Sequence, residues 1–288
     1  MSPQVAIIIL NWNGLQDTEA CLASLQQTTY ANYSIIIVDN GSAKDEAGEL
    51  EQKYGKKIKV LRSGKNLGFA AGCNLAIEQT IKKDYQYILL LNNDIKVAPD
   101  FLNILVNTAE KDKSIGIVGP QIYFYNEPQK TAFAGGKINF FTGEAKHLHL
   151  KQETTEVNFI EGSSMLISMA TIKKIGMLDP QYFSYWEDAD FCVRAKLNKT
   201  KIIFAPQAKI WHKVSASSGG DQSPFSIYYL ARNRWIFMKK FAKFYHWFFF
   251  IPFYFLDSLR YFLIFKKIDK IKAYYLGWRD GVFIRLQK

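Results

Sequence analysis

Residues Tyr87-Ile88-Leu89-Leu90-Leu91 form an unbroken apolar run that stops at three polar side chains, Asn92-Asn93-Asp94. A short run that is apolar throughout and bounded by polar residues is the pattern of a strand buried on both faces. Such strands belong to parallel sheets covered by helices on each side. Open α/β sheets take their ligands beyond the carboxyl ends of the strands. The run therefore puts Asp94 where a hard cation and a phosphate are held, with Asn92 and Asn93 as neutral neighbours.

The same grammar repeats. Val5–Leu10, Ser34–Val38 and Ile58–Leu61 read as strands. Asp17–Gln27 has helical apolar spacing at Ala20, Leu22, Ala23 and Leu25, and Asn66–Gly72 opens a helix that runs through Thr80. Strand and helix alternate, so residues 1–115 are expected to be a nucleotide-binding half of doubly wound type. Ile115–Phe124, Val157–Ser168, Lys201–Ala205 and Ala208–Trp211 predict further strands in a mixed half over 116–224. Residues 125–156 read as a polar surface excursion with a hairpin near Phe141-Thr142-Gly143. Lys213–Pro224, rich in Ser and Gly, reads as a mobile loop. Helical patterning follows from Phe225 to Lys243 and through a tail, 225–288. No internal repeat is visible.

Apolar residues make up 48% of the 288 and aromatics 15%, which excludes a disordered chain. Cys21, Cys73 and Cys192 are odd in number, far apart and without CxxC spacing. A disulfide framework or zinc cluster is not expected, and a reducing cytoplasm is. Met1-Ser2-Pro3-Gln4 leads directly into a strand, with neither a basic segment nor a cleavage site, so no signal peptide is expected.

The charge is concentrated at one end. Residues 213–288 carry 14 Lys/Arg against 4 Asp/Glu, a net of +10 out of +11 for the whole chain, and 22 of the 44 aromatics. Trp247–Leu256 (WFFFIPFYFL) is too short for a bilayer span of ~20 residues, and extending it to Phe265 brings in Asp257 and Arg260. A basic, aromatic, amphipathic segment suits the membrane interface. Lys239, Lys240, Lys243, Lys266, Lys267, Lys270 and Lys272 are the candidates to meet anionic headgroups. The competing reading packs these aromatics on the catalytic domain or into a homo-oligomer contact. Nucleic acid is not expected, because the tail holds no recognisable binding module.

Polar residues follow the strands at Asn11–Asn13, Asp39, Asp94 and His212. The segment Trp186-Glu187-Asp188-Ala189-Asp190 precedes a helix-like stretch, Phe191–Leu197. Carboxylate oxygen suits magnesium, and manganese also accepts imidazole, so Asp94 and His212 make a plausible cation pair. Asp39 is placed to accept from a base N–H, and Asp188 to act as general base toward a hydroxyl. Each residue has a plain structural reading as well. Asp39-Asn40-Gly41 is good turn chemistry, and Asp94 suits a helix cap. Glu187, Asp188 and Asp190 suit a solvated acidic helix start. Arg194 is an i,i+4 partner for Asp190. His147 and His149 alternate like a strand face and receive no role, and His246 reads as interfacial.

The order of the pieces is more specific than any one of them. Val5–Asn13 (VAIIILNWN), Val38–Ser42 (VDNGS), Asn66–Asn74 (NLGFAAGCN), Leu91–Asp94 (LNND), Phe183–Arg194 (FSYWEDADFCVR) and Ile210-Trp211-His212 occur in turn. From about Val5 to about Arg234 the chain resembles the inverting family-2 glycosyltransferases of GT-A fold. The likeness is to the rhamnosyltransferase-like branch that builds bacterial surface polysaccharides. The resemblance implies a GT-A domain over 1–224 and an interfacial tail over 225–288. It implies Asp39 at the nucleotide base, with Asn11 and Asn66 near the nucleotide and Asn92 and Asn93 beside it. Asp94 would be the last residue of a DxD-type motif and a ligand to Mn2+ or Mg2+, with His212 completing the site. Asp188 would be the catalytic base, with Glu187 orienting it or touching the acceptor and Arg194 buttressing the acidic cluster. Asn92 departs from the motif and removes a carboxylate. The donor would be a UDP-, dTDP- or GDP-sugar, and the acceptor a glycan or polyprenyl-linked glycan. The enzyme would be cytoplasmic, peripheral on the inner face of the cell membrane.

Two other functions compete with this reading. A sugar nucleotidylyltransferase wants a Gly-rich, basic loop after the first strand, where this chain has Asn11-Trp12-Asn13-Gly14. A degenerate sugar-binding scaffold is supported by Asn92 and opposed by Asp94, Glu187, Asp188 and His212.

Overall fold

The computed structural model describes residues 2–148, 153–213, 223–264 and 267–286. β1 (Val5–Asn11), α1 (Leu15–Leu25), β2 (Tyr33–Asp39), β3 (Ile58–Arg62), α3 (Gly68–Ile81) and β4 (Tyr87–Asn92) follow the patterning, and a further helix, α2 (Glu46–Tyr54), lies between β2 and β3. The strands are parallel in the order β3-β2-β1-β4. Their registers pair Asn11 with Asp39 and Leu10 with Asn92. The polar ends of β1, β2 and β4 therefore emerge together on one rim.

The second half contains β5 (Ile95–Val97), α4 (Phe101–Ala109), β6 (Ile115–Phe124), β7 (Thr131–Phe133), β8 (Gly136–Asn139), β9 (Glu144–His147) and β10 (Thr155–Glu156). It continues through β11 (Ser164–Ser168), α5 (Met169–Ile175), α6 (Glu187–Leu197) and β12 (Lys201–His212). β11 inserts antiparallel between β4 and β6, β12 lies parallel to β6, and β5 folds back antiparallel on β12 with Ile95 opposite His212. The mixed sheet is thus continuous with the parallel one. The expected hairpin is present as β8–β9, turning through 140–143.

Two segments differ from the sequence reading. Of Val157–Ser168, only Ser164–Ser168 is a continuous strand. The preceding residues leave the ladder at Glu161-Gly162 to line a cleft. Lys201–Ala205 and Ala208–Trp211 are one 12-residue strand with a register shift between Ala205 and Lys209. Pro206 lies in that shift, and a residue without an N–H is tolerated in a sheet at such a bulge. The loop expected over 213–224 lies largely outside the described residues, as does His149.

Three helices close the chain: α7 (Pro224–Phe241), α8 (Phe244–Ile264, with Pro252 inside) and α9 (Ile268–Phe283). Ser223 caps α7, its hydroxyl accepting from the Ser226 N–H at 3.1 Å, and Pro224 stands at the first helical position. A Cβ at Gly277 would lie 2.3 Å from the Tyr228 carbonyl oxygen, and one at Gly281 2.6 Å from that of Arg232. These two glycines therefore let α9 seat directly on the α7 backbone. A second hydrophobic core joins Tyr182, Ala189 and Val193 to Ile227, Ile236, Phe237, Phe250 and Tyr274. The helical tail thus shares its core with α6.

Candidate active site

The rim carries a hydrogen-bonded network. Asn11 is wholly buried. Its Nδ2 donates to Glu46 Oε2 at 2.8 Å and to Asp39 Oδ1 and Ser42 Oγ at 3.3 Å each, while its Oδ1 accepts from Thr18 Oγ1 at 2.7 Å. Asp39 Oδ1 also accepts from Ser42 Oγ at 2.5 Å. Asn11 therefore holds Asp39 and the 11–14 turn in place rather than lining the cleft. Asn40 and Asn66 interlock beside it. Asn40 Nδ2 donates to Asn66 Oδ1 at 3.1 Å, Asn40 Oδ1 accepts from Leu67 N at 3.1 Å, and Asn66 Oδ1 accepts from Gly68 N at 2.8 Å. Gly68 has φ +80°, and a Cβ there would lie 2.4 Å from the Phe183 carbonyl oxygen. The NLGF segment thus requires glycine twice, for backbone conformation and for close approach.

A cleft of about 580 Å³ opens over this rim. Asn66, Asn92, Asn93, Asp94, Glu161, Glu187, Asp188 and His212 are among the residues lining it. Asp94 does not cap a helix. It leads into β5, whose pairing with β12 brings His212 Nε2 to 3.0 Å from Asp94 Oδ1. Asn92 Nδ2 lies 3.4 Å from the same imidazole nitrogen. Asn93 turns inward, donating to Thr18 Oγ1 at 3.0 Å and to the Gly14 carbonyl at 3.3 Å.

The acidic segment is built differently. Phe183, Tyr185 and Trp186 have φ of +64°, +67° and +75°. Side-chain-bearing residues held there cost about 1–3 kcal/mol each, and such strain clusters at functional sites. The turn delivers Glu187 and Asp188 into the first turn of α6, where the helix dipole favours negative charge. Asp188 Oδ2 accepts from Gly162 N at 2.9 Å and Oδ1 from Ala189 N at 2.7 Å. Burial raises its pKa against those two N–H bonds. Burial, and then the neighbouring Asp188 charge, push the Glu187 carboxyl well above the usual range. Glu187 Oε2 is buried without a hydrogen bond. This is no solvated acidic helix start, since Glu187 is 5% exposed and Asp190 not at all.

Asp190 faces away from the cleft. It accepts from Tyr182 Oη at 3.0 Å, from Arg194 Nε at 2.6 Å and from Lys240 Nζ. Arg194 is thus the i,i+4 partner, and it also binds the carbonyls of Ile175 and Met177 at 2.7 and 2.8 Å. It locks the loop behind α6.

Sequence reasoning missed Glu161, which was absorbed into an expected strand. Its Oε1 lies 3.9 Å from His212 Nδ1, its Oε2 lies 3.9 Å from His147 Nδ1, and it accepts from Ser163 Oγ. His147, given no role, also lines the cleft. His246 is not interfacial. It is buried and stacked on Phe140, its Nδ1 accepting from Lys243 N at 3.0 Å.

A divalent cation fits the Asp94–His212 pair. Asp94 Oδ1 is buried and accepts no hydrogen bond of good geometry. A carboxylate oxygen and an imidazole nitrogen 3.0 Å apart suit adjacent positions on one ion with bonds of about 2.1 Å. Among the described residues, no group of three or more His, Cys, Asp or Glu forms a closed cage. Substrate phosphate oxygens would have to complete the shell, as is usual for Mg2+.

The described fold is a mixed α/β sheet of GT-A type whose polar strand ends open on one cleft. The Glycosyl transferase family 2 profile matches residues 6–176, and the chain belongs to that family. An uncharacterized protein of Sinorhizobium fredii, y4gI, is 26% identical over 242 residues, 77% of this chain and 26% of that protein. The chain thus spans about a quarter of that relative's length. The N-acetylglucosaminyl-diphospho-decaprenol L-rhamnosyltransferase of Mycobacterium tuberculosis is 22% identical over 77% of this chain and 80% of its own length. The dTDP-rhamnosyl transferase RfbF of Shigella flexneri is 21% identical over 83% and 81%. Among solved structures, S. aureus TarS 1–349 with UDP-GlcNAc superposes with a TM-score of 0.65 at 16% identity, covering 97% of this chain and 80% of TarS 1–349. GalNAc-T7 with UDP, GalNAc and Mn2+ gives 0.64 at 18% identity, covering 73% and 43%. The mannosyltransferase PcManGT of Pyrobaculum calidifontis, with GDP-Man and Mn2+, gives 0.62 at 12% identity, covering 99% and 77%.

Proposed function

We propose that this protein is an inverting glycosyltransferase of bacterial surface-polysaccharide synthesis. It moves a sugar from a nucleoside-diphosphate donor to a hydroxyl of a glycan or lipid-linked glycan. The observation that carries this reading is one cleft holding both the Asp94–His212 pair and the Asp188 carboxylate. The rim takes the nucleotide, with Asp39 at the base and Asn66, Asn92 and Asn93 around it. Asn11 serves that site by holding Asp39. Asp94 and His212 would hold Mn2+ or Mg2+, which when bound offsets the charge on the departing diphosphate. Asp188 takes the proton of the acceptor hydroxyl as that oxygen attacks the anomeric carbon from the face opposite the leaving group. Attack in a single displacement inverts the centre, with no carboxylate nucleophile. Burial and the Asp188 charge both disfavour a second ionised carboxyl at Glu187 beside it. Supporting the donor class, structural neighbours of the fold carry UDP, UDP-GlcNAc or GDP-Man. Supporting the lipid-linked acceptor, a relative is named for a decaprenol-linked one.

The membrane face in this reading is α8. Phe244, Phe248 and Leu263 are 77, 72 and 84% exposed, while Phe250 and Tyr254 on the other side are buried. Lys243, Arg260, Lys267 and Lys272 are exposed around it. Lys239 and Lys240 do not belong to the headgroup set, because they bind inward to the Val282 and Ile284 carbonyls and to Asp179 and Asp190. Among the described residues, no helix is long and apolar enough to cross a membrane.

The test is nucleoside diphosphate release from UDP-, dTDP- and GDP-sugars, with Mn2+, Mg2+ or chelator, alongside His212→Ala. Turnover of one donor that chelator abolishes, with the metal requirement raised at least tenfold in His212→Ala, is expected. Turnover indifferent to chelator would remove the cation from the account.

A further inference from the structure

Asn233 lies on α7, is wholly buried and does not line the cleft. Its amide nevertheless reaches the segment that presents Asp188. Nδ2 donates to the carbonyl oxygens of Tyr182, Ser184 and Tyr185, each at 2.8 Å. Two hydrogens are thus shared among three acceptors. The orientation of the amide is fixed by its neighbour, since Arg232 Nη1 donates to Asn233 Oδ1 at 2.8 Å and Nη2 donates to the Gln181 carbonyl at 3.0 Å. Only the amide nitrogen can then face the carbonyls.

The carbonyls converge on one point because Phe183 and Tyr185 sit at positive φ. Trp186, also at positive φ, then starts α6, and Glu187 and Asp188 follow at once. From the other side, Phe69 N donates to the Phe183 carbonyl at 2.6 Å. The turn is gripped between α3 and α7. A strained turn whose oxygens point inward is stable only while donors meet them.

We propose that Asn233 is a positioning residue for glycosyl transfer. It holds the 182–186 turn in the conformation that aims the Asp188 carboxylate at the acceptor hydroxyl. The role rests on the reading of Asp188 as the base. It also makes the helical tail part of the catalytic apparatus rather than an anchor alone.

Asn233→Asp keeps the shape, removes both donors and sets carboxylate oxygen against three carbonyls. In the full-length protein, kcat is expected to fall about 100-fold, the scale of a misplacement of ~1 Å. Binding of UDP, dTDP or GDP with Mn2+, whichever matches the active donor, stays within about twofold, because the rim does not touch Asn233. Asn233→Ser keeps one donor and is expected to restore part of kcat, and it serves alone if the Asp variant does not fold. Combined with Asp188→Asn, either change adds no further loss, since both act through one group. Folded Asn233 variants with wild-type kcat overturn the positioning role alone, as does diphosphate affinity falling in step with kcat. Unchanged kcat in Asp188→Asn overturns the base assignment, and this role with it.

Discussion

At the residue scale, the two acidic neighbours at the start of α6 have divided tasks. Asp188 is met by two backbone N–H groups, while Glu187 is buried with an unbonded oxygen. The Glu187 carboxyl is raised well above its ordinary 4.5 by burial and then by the Asp188 charge. In the unfolded chain it ionises near 4.5, whereas in the fold it holds its proton to higher pH. From pH 4.5 upward the folded state therefore binds more protons, and this group lowers stability as pH rises to its folded pKa. Glu187→Gln removes that term. Thermal melts from pH 4.5 to 8 should show the variant gaining on wild type as pH increases. A gap that is constant or shrinks with pH would show that Glu187 is ionised in the fold.

The elements show how far sequence patterning reaches. Strand ends at Asn11, Asp39 and Asn92 were legible because an apolar run must stop where the sheet meets solvent. The pairing of Asp94 with His212 is read from ligand chemistry and from the family resemblance, and β5 folding back on β12 explains it. Glu161 was hidden because Val157–Ser168 was read as one strand, although Glu161-Gly162 inside it is a local signal of a break. Asn233 was hidden for another reason, since its partners lie 48 to 51 positions earlier and no periodicity reports such contacts. Asp190 belongs to the same class. In sequence it reads as part of a solvated acidic helix start, yet it fastens α6 to α7 through Lys240 and to the preceding loop through Tyr182. Asp190→Ala would leave Arg194 without its carboxylate, and Lys240 with Asp179 alone, in a largely buried site. A loss of about 3 kcal/mol is expected in urea unfolding, the lower end for breaking a buried pair. A loss under about 0.5 kcal/mol would mean that the cluster does not hold these elements together.

For the whole molecule, the +10 tail divides into an inward and an outward part. α7 and α9 pack on each other across Gly277 and Gly281 and share a core with α6. α8 turns one aromatic face out. A truncation before α7 would confound membrane contact with loss of the Asn233 clamp, so the proposed membrane face is better tested by substitution. Phe248→Glu with Phe255→Glu should abolish flotation with vesicles containing anionic lipid while leaving diphosphate binding intact. Flotation equal to wild type would exclude α8 as the membrane face.

The central claim is that one carboxylate, Asp188, activates the acceptor in a cleft whose other parts bind the donor. Its most direct test is Asp188→Asn, measured for turnover and for binding of the matching nucleoside diphosphate. The account predicts a kcat lower by about 10²–10⁴, the usual contribution of a general base, with diphosphate affinity within about twofold of wild type. Turnover within tenfold of wild type, in a protein that binds the diphosphate normally, would contradict it.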